Sequence, residues 1–190
     1  MQLPLWRIDR IIHGLTNGEV IAYPTEGVWG LGCLPELHAS VAHILTLKRR
    51  SWKAGLILVA SQISHVDEYL DGITLEQRRL LESVWPAPVT FLVPDNGFVP
   101  SWIKGKNKRV ALRVSAHPIV QDICQALGGP IVSTSANPTG RKPATSALKV
   151  RQYFGNEVDL LVPGNLSGQE GPSEIRDLNT DEIIRSRRVI

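Results

Sequence analysis

PIVSTSANPTG, residues 130–140, passes abruptly from a short apolar run to a string of hydroxyl, amide and turn residues. The apolar part is typical of a buried strand. The loop that follows would place hydroxyls, a carboxamide and backbone N–H groups at the end of a sheet. Such a set of donors suits an oxyanion. An ordinary polar turn explains the same string when it is taken alone, so the choice depends on the rest of the chain.

Helical and strand patterns alternate along the chain. Apolar residues recur at helical spacing in some segments, and continuous apolar runs bounded by turn residues mark strands in others. The predicted helices are 8–15, 41–47, 75–83, 118–127 and 147–154, and the predicted strands are 20–23, 56–60, 89–93, 110–114 and 131 onward. Because the apolar runs are continuous, we expect an α/β fold with a mixed sheet covered by helices. The order and direction of the strands stay open.

The composition is typical of one globular domain. The chain has 190 residues, 43% of them hydrophobic, so we expect a single domain over residues 1–190. Residues 1–4 lack the basic start of a signal peptide, and no apolar run is long enough to cross a bilayer. We therefore expect a cytoplasmic protein with no membrane partner. Cys33 and Cys124 are far apart and indicate neither a disulfide framework nor a zinc site.

Positive charge is clustered, although the net charge is only +3. The clusters lie at residues 48–53 and 104–113, which favours an anionic ligand or a nucleic acid as partner. If the first cluster is extended, Lys48 and Arg50 point to the same side and offer a point charge and a planar fork to phosphate oxygens. A solvated basic helix end explains the two residues equally well.

Arg113 interrupts an otherwise apolar strand. Burying an unpaired guanidinium is costly, so a carboxylate or a phosphate should meet it. A bound ligand would make Arg113 part of a site. An internal Asp or Glu would make it a structural residue, and the strand pattern does not separate the two.

The usual catalytic signatures are missing. Residues 30–32, Gly-Leu-Gly, begin like a dinucleotide fingerprint, but Pro35 stands where the third glycine belongs. Ser133 and Ser135 lack the flanking glycines of a nucleophile elbow. His117 lies at a strand-to-helix junction, where it either lines a pocket or is a hydrogen-bonded structural residue. The pattern therefore favours the positioning of an anionic ligand over covalent catalysis.

Five short motifs between residues 23 and 175 occur together in an order that resembles a known family, and the resemblance runs from about residue 7 to the C-terminus. They are Tyr23-Pro24-Thr25-Glu26 with Gly30-Leu31-Gly32-Cys33, Lys48 with Arg50, Arg113 with His117-Pro118, Ser135 with Asn137, and Pro172-Ser173-Glu174-Ile175. Together they resemble the YrdC/TsaC family of threonylcarbamoyl-adenylate synthases in its short bacterial form. The resemblance implies an open, twisted mixed α/β sheet with flanking helices and a concave positive surface, similar to the dihydroxybutanone phosphate synthase fold.

The resemblance also implies a reaction and its partners. L-threonine, bicarbonate and ATP would give threonylcarbamoyl-AMP and pyrophosphate, for N6-threonylcarbamoylation of adenosine 37 in tRNAs that read codons beginning with A. ATP is then a substrate, and Mg²⁺ is the metal ion expected to bind with it. Transfer to tRNA would need TsaB-, TsaD- and TsaE-type proteins, and direct contact between this protein and tRNA stays open.

The implied site has two halves. Lys48 and Arg50 would be the catalytic residues, and they would bind ATP together with Ser135 and Asn137. The residues implied for threonine are Thr25, Arg113, Ser133 and Ser173. Arg113 is the candidate for the threonine carboxylate, because its bidentate fork matches that group.

Three departures from the family pattern bear on this site. Ala87 stands within Pro86-Ala87-Pro88 where the family usually has glycine, so a positive φ or a close backbone approach there is in doubt. Gly27 replaces a bulkier residue. Pro138 follows Asn137 and removes one N–H donor from the loop.

A binding module is the competing class of function. In that hypothesis the basic concave surface binds structured RNA or tRNA, or serves in ribosomal RNA maturation, without catalysis. The chain has only 6% aromatic residues and no RNP-like motif, so base stacking is weakly indicated. A carbamoyl-transfer module like that of hydrogenase maturation proteins is a third hypothesis, but two cysteines cannot form its zinc fingers.

Overall fold

In a computed structural model that describes residues 3–186, nine strands form one continuous sheet. The strands are β1 (Ile21–Pro24), β2 (Trp29–Gly32), β3 (Ile57–Ala60), β4 (Val89–Pro94), β5 (Arg109–Val114), β6 (Ile131–Ser135), β7 (Leu160–Leu161), β8 (Glu174–Asp177) and β9 (Ile183–Arg185). Their order across the sheet is β7-β1-β2-β6-β3-β5-β4-β8-β9. Neighbours are parallel in β1/β7, β3/β5 and β4/β8 and antiparallel elsewhere. The predicted mixed sheet is confirmed.

Six α-helices lie among these strands in the described part of the chain. They are α1 (Leu5–Thr16), α2 (His38–Lys48), α3 (Leu75–Val84), α4 (Ser101–Lys104), α5 (Pro118–Leu127) and α6 (Ala147–Phe154), with 3₁₀ segments at Trp52–Ala54 and Ile63–Leu70. The five predicted helices and five predicted strands are all present, with ends shifted by up to three residues. None of the helices in residues 3–186 has both the length and the apolar character needed to cross a membrane.

The prediction missed α4, β2, β7, β8 and β9. In β2 the glycines Gly30 and Gly32 alternate with Trp29 and Leu31, so the strand lacks the run of β-branched residues that marks the others. The three C-terminal strands have two to four residues each. Runs that short give no readable alternation.

The larger core lies on one face of the sheet. Because side chains alternate along a strand, Leu31, Leu58, Leu112 and Val132 share this face, and all are fully buried. Helix α2 packs against them through buried residues such as Val41 and Ile44. Burying each large apolar side chain here stabilises the folded protein by about 1.5–3 kcal/mol.

The second core covers only part of the opposite face. Ile21, Val59 and Ile131 pack here against helices α1 and α5, which contribute residues such as Leu15 and Ile123. Further along β6, on the same face as Ile131, the chain places Ser133 and Ser135 instead of apolar residues. The helices therefore end their coverage where the sheet turns polar.

We expect Leu58→Ala to destabilise the protein by about 2–5 kcal/mol, because it leaves a cavity in the larger core. Leu58 is fully buried at the centre of the sheet, between Leu112 and Val132. Urea denaturation measures the change. The control is Leu148→Ala on α6, where the side chain is 67% exposed and the expected change is within about 0.5 kcal/mol. Equal losses for the two variants would contradict this description of the core.

Candidate active site

A cavity of about 290 Å³ opens on the uncovered part of the sheet face. Its walls come from the turn between β1 and β2, from strands β5 and β6, from the chain that leads into β3 and into β8, and from β9. Six of the eight residues predicted for the site line it: Thr25, Arg50, Arg113, Ser133, Ser135 and Ser173. Lys48 and Asn137 contact each other behind β6 and are not among the lining residues.

Tyr23 fixes the hydroxyl of Ser133. The fully buried tyrosine on β1 donates from its OH to Ser133 Oγ at 2.8 Å, across the intervening strand β2. Gly30 and Gly32 make this possible, since a Cβ on Gly32 would lie 2.9 Å from a Tyr23 ring carbon. Burial raises the pKa of Tyr23 far above its usual value, so the phenol stays protonated and donates. Ser133 Oγ accepts this bond, which leaves its own proton available to a ligand.

The Gly-Leu-Gly run at 30–32 therefore has a structural role. Its resemblance to a dinucleotide fingerprint is accidental, because the two glycines make space for a tyrosine ring and do not cradle phosphates.

Lys48 fastens helix α2 to the loop after β6. Helix α2 ends at Lys48, and Arg49 takes a left-handed conformation with φ 49°, so residues 48–50 are not extended. The Lys48 ammonium donates to the carbonyl of Ser135 and to that of Asn137 at 3.0 Å. In return, Thr139 N donates to the Lys48 carbonyl at 2.7 Å. Burial and then the Arg50 charge lower the pKa of Lys48 to about 7.

Asn137 braces the same loop. Its side-chain nitrogen donates to the carbonyl of Pro138 at 3.0 Å and to that of Arg141 at 2.7 Å. Pro138 has no N–H, but its carbonyl takes part in the loop: it accepts the bond from Asn137 and a second one from Arg141 N. Lys48 and Asn137 thus shape the loop that presents Ser135.

The cavity has an excess of positive charge. Among the described lining residues the cations are Arg50, Lys104, Arg109, Arg113 and Arg185, and the only carboxylate is Glu26. Lys104 and Arg109 form ion pairs with Asp95 and Asp177. Within residues 3–186 Arg50 and Arg185 form none, and the Arg50 Nε is buried without a hydrogen-bond partner.

Both unpaired arginines have a lowered pKa. Burial is the cause for Arg50, and for Arg185 burial acts together with the charges of Arg50 and Arg113. They remain charged near neutral pH, since an arginine titrates far above it. A bound polyanion would relieve this repulsion. Arg185 was not among the predicted site residues, because it lies in the basic run Arg185-Ser186-Arg187-Arg188, which is typical of a solvated segment.

Glu26 is the internal partner of Arg113. Glu26 Oε2 lies 3.5 Å from Arg113 Nη2, and both side chains are only 8% exposed. Glu26 Oε1 accepts from Ser115 Oγ at 2.6 Å. Burial alone would raise the pKa of Glu26, but Arg113 and Ser115 outweigh it and hold that pKa below its usual value. Glu26 belongs to the Tyr23–Glu26 motif, and only the structure shows what it contacts.

His117 is a structural residue and does not line the cavity. It caps the N-terminus of α5, where its Nδ1 accepts from Ile119 N at 3.3 Å. The ring is therefore protonated on Nε2, which donates to Asn165 O at 3.1 Å. Burial lowers the pKa of His117 below 6.5. Of the two alternatives for His117, the hydrogen-bonded one is correct.

The segment 165–173 passes directly over the turn between β1 and β2. Gln169 N donates to Glu26 O at 3.1 Å, and a Cβ on Gly27 would lie 2.1 Å from Gly171 O. Any side chain at residue 27 would collide with this backbone, so glycine is required for the observed path. Ala87, in contrast, has no positive φ, and its N–H donates to Val114 O at 3.0 Å.

Residues 3–186 contain no group of three or more His, Cys, Asp or Glu side chains able to hold a metal. The site is therefore a cationic and hydroxyl-rich cavity with a single carboxylate. The fold and the cavity together define the class, an α/β protein whose open sheet face carries a cavity suited to an anionic ligand.

Comparison with known proteins gives the family. The family model for Sua5, YciO and YrdC, described as "Telomere recombination", matches residues 13–188. The chain is 48% identical over 180 residues to a threonylcarbamoyl-AMP synthase of Hahella chejuensis, a match that covers 95% of this chain and 98% of the relative. The chain belongs to the Sua5/YciO/YrdC family, and the resemblance noted in the sequence is confirmed.

Solved structures agree on the fold. P. abyssi Sua5 complexed with L-threonine matches with a TM-score of 0.90 and 27% identity, over 97% of this chain and 55% of that one. This chain thus spans about half the length of Sua5. E. coli YciO matches with a TM-score of 0.84 and 25% identity, over 100% of this chain and 92% of that one.

We expect acid to destabilise the protein partly through His117. Because the folded-state pKa is lowered, the contribution of His117 is complete above the unfolded-state pKa of about 6.5 and is lost as the pH falls from there through the folded-state pKa. His117→Asn keeps a capping acceptor but cannot titrate, so the decrease in unfolding free energy between about pH 7 and 5 should become smaller. Urea denaturation at several pH values measures it. His13→Asn, at an exposed position on α1, is the control, and an unchanged slope in His117→Asn would refute the assignment.

Proposed function

We propose that this protein is a threonylcarbamoyl-AMP synthase, a nucleotidyltransferase that makes threonylcarbamoyl-AMP and pyrophosphate from L-threonine, bicarbonate and ATP. One observation carries the proposal. A chain that matches curated synthases over nearly its whole length has a cavity in which unpaired arginines and hydroxyls surround one carboxylate. Such a lining suits the two anions that this reaction must bring together.

The reaction needs positioning more than a protein nucleophile. N-carboxylated threonine attacks the α-phosphorus of ATP through a carbamate oxygen, the bond to the bridging oxygen breaks, and pyrophosphate leaves with that electron pair. Cationic side chains offset the repulsion between the reactants and stabilise the charge that moves onto pyrophosphate. The cysteines play no part as nucleophiles, since burial raises the pKa of Cys33 and of Cys124 to about 12.

The proposed nucleotide half of the site centres on Arg50. Its guanidinium lines the cavity, donates to Gly55 O at 3.1 Å and forms no ion pair with the described residues, so its charge is available to ATP phosphates. Ser135 lines the same cavity. Lys48 and Asn137 stay in the proposed ATP-binding group, but they act through the loop that they brace and through the Lys48 charge. The spacing of Lys48 and Arg50 had suggested that both side chains bind phosphate oxygens directly, whereas here we assign that direct contact to Arg50 alone.

The proposed threonine half centres on Arg113. Thr25, Ser133 and Ser173 line the same cavity as Arg113, and we assign the threonine carboxylate to Arg113. Ser133 is held by Tyr23 with its proton free to donate, and Ser173 Oγ is held by Thr90 at 2.9 Å. Both hydroxyls are thus oriented before a ligand arrives.

The remaining parts of the proposal concern partners. We place Mg²⁺ with the ATP phosphates, as is usual for an ion that is bound through few protein carboxylates. The product would pass to TsaB-, TsaD- and TsaE-type proteins for transfer to tRNA. A cytoplasmic location follows from those substrates. The RNA-binding module is not favoured, since the relatives at this level of identity are named as synthases.

Pyrophosphate release tests the function. We expect the purified protein to release pyrophosphate from ATP only when L-threonine and bicarbonate are both present. Arg50→Ala should abolish this release, because it removes the unpaired cation that faces the phosphates. Arg79→Ala, an exposed arginine on α3 without an ion pair in the described chain, is the matched control.

Two results would contradict the proposal. Pyrophosphate release that does not depend on threonine would contradict the proposed reaction. Undiminished turnover in Arg50→Ala would contradict the assignment of Arg50 to the site. Tight, strongly salt-dependent RNA binding without any pyrophosphate release would support the RNA-binding module instead.

Arg113→Lys tests the threonine half. A lysine keeps the charge but loses the bidentate fork, so we expect the threonine KM to rise by about tenfold or more while the ATP KM changes little. Initial rates at saturating ATP and varied threonine measure this. An unchanged threonine KM would move Arg113 to an ATP-binding or structural role.

A further inference from the structure

We propose that Glu26 is a positioning residue that aims the Arg113 guanidinium into the cavity and, by offsetting its charge, favours a carboxylate over a phosphate there. The inference rests on the proposed function, since it assigns Arg113 to threonine. It is carried by the contacts of Glu26, by its place as the single described carboxylate in the lining, and by the unpaired arginines around it.

The Glu26 carboxylate is held in place without help from Arg113. Its Oε1 accepts from Ser115 Oγ at 2.6 Å, and Ser115 Oγ in turn accepts from His117 N at 3.1 Å. The backbone carbonyl of Glu26 accepts from Gln169 N at 3.1 Å. The segment 115–117 therefore holds the carboxylate, and Gln169 holds the backbone of the same residue, before any ligand binds.

The contact between Glu26 and Arg113 is loose enough to leave the arginine free for a ligand. Its 3.5 Å distance exceeds the roughly 2.8 Å of a charge-assisted hydrogen bond, and Glu26 Oε2 has no hydrogen-bond partner. The carboxylate thus attracts and orients the guanidinium but does not occupy its fork. Arg113 Nε is also buried without a partner, so the side chain has no other polar anchor at that atom.

The same charge distinguishes Arg113 from the other arginines of the cavity. Arg50 and Arg185 have no carboxylate partner within residues 3–186, and Arg185 Nη2 donates instead to Ser173 O at 2.6 Å. At Arg113 the Glu26 carboxylate, 3.5 Å away, offsets the positive charge. A carboxylate that matches the fork can still bind there, whereas a phosphate group gains little from its additional negative charge because Glu26 opposes it.

Glu26→Gln removes the charge and keeps the size of the side chain. We expect the threonine KM to rise about tenfold while the ATP KM stays within about twofold, because Arg113 loses the group that aims it. Inorganic tripolyphosphate should become a competitive inhibitor against threonine in this variant and not in the wild type. Glu19→Gln, which alters another Arg–Glu pair outside the cavity, should change none of these quantities.

A double variant separates positioning from direct contact. If Glu26 acts through Arg113, adding Glu26→Gln to Arg113→Lys should raise the threonine KM little further. If the two changes multiply, Glu26 contacts threonine itself and the proposal is wrong. Equal increases in the KM of ATP and threonine, together with a lowered melting temperature, would assign Glu26 a purely structural role.

The position of Arg113 provides a readout that does not depend on activity. In a crystal structure of Glu26→Gln we expect the Arg113 guanidinium to have moved away from its wild-type position. A guanidinium that has not moved would overturn the proposal whatever reaction the protein catalyses. Wild-type protein that releases no threonine-dependent pyrophosphate would instead overturn the proposed function, so the two failures are distinguishable.

Discussion

The alternation of side chains along β6 is the constraint on which the site depends. Ile131, Ser133 and Ser135 lie on one face of the sheet, and Val132 lies on the other. Helices α1 and α5 cover this face as far as Ile131, so the serines lie where no helix packs. A shift of one residue in the strand register would bury the serines in the larger core and expose Val132 in the cavity. The hydrophobic pattern therefore fixes the fold and the chemistry of the site together.

Charge is the second determinant of the site. A protein rarely collects several arginines around one cavity without carboxylates, because their mutual repulsion works against the folded state. Here a polyanion would offset the repulsion, which together with burial lowers the pKa of Arg185. Glu26 offsets it at Arg113 alone. The described part of the cavity thus has one arginine whose charge a carboxylate offsets, beside two arginines that have no carboxylate partner.

Long periodic elements were readable from the sequence, and precise contacts were not. Segments such as Pro118–Leu127 were predicted to within a residue, because apolar spacing, an N-terminal proline and a following glycine all agreed. Six of the eight predicted site residues line the cavity, which follows from motifs at strand ends. The orientation of Lys48 relative to Arg50 was not predictable, because it depends on the left-handed conformation of the intervening Arg49. Arg185 was missed since a basic segment has no local pattern that distinguishes a ligand from a solvated residue.

The contact between Gly27 and Gly171 links two distant parts of the chain. With no room for a Cβ at residue 27, the turn after β1 and the segment that leads to Ser173 cannot change independently. Family members that carry a bulkier residue at this position must route the later segment along another path. The size of one side chain in the turn would therefore set how closely the neighbouring loop approaches the site, and the two positions should vary together during divergence of the family.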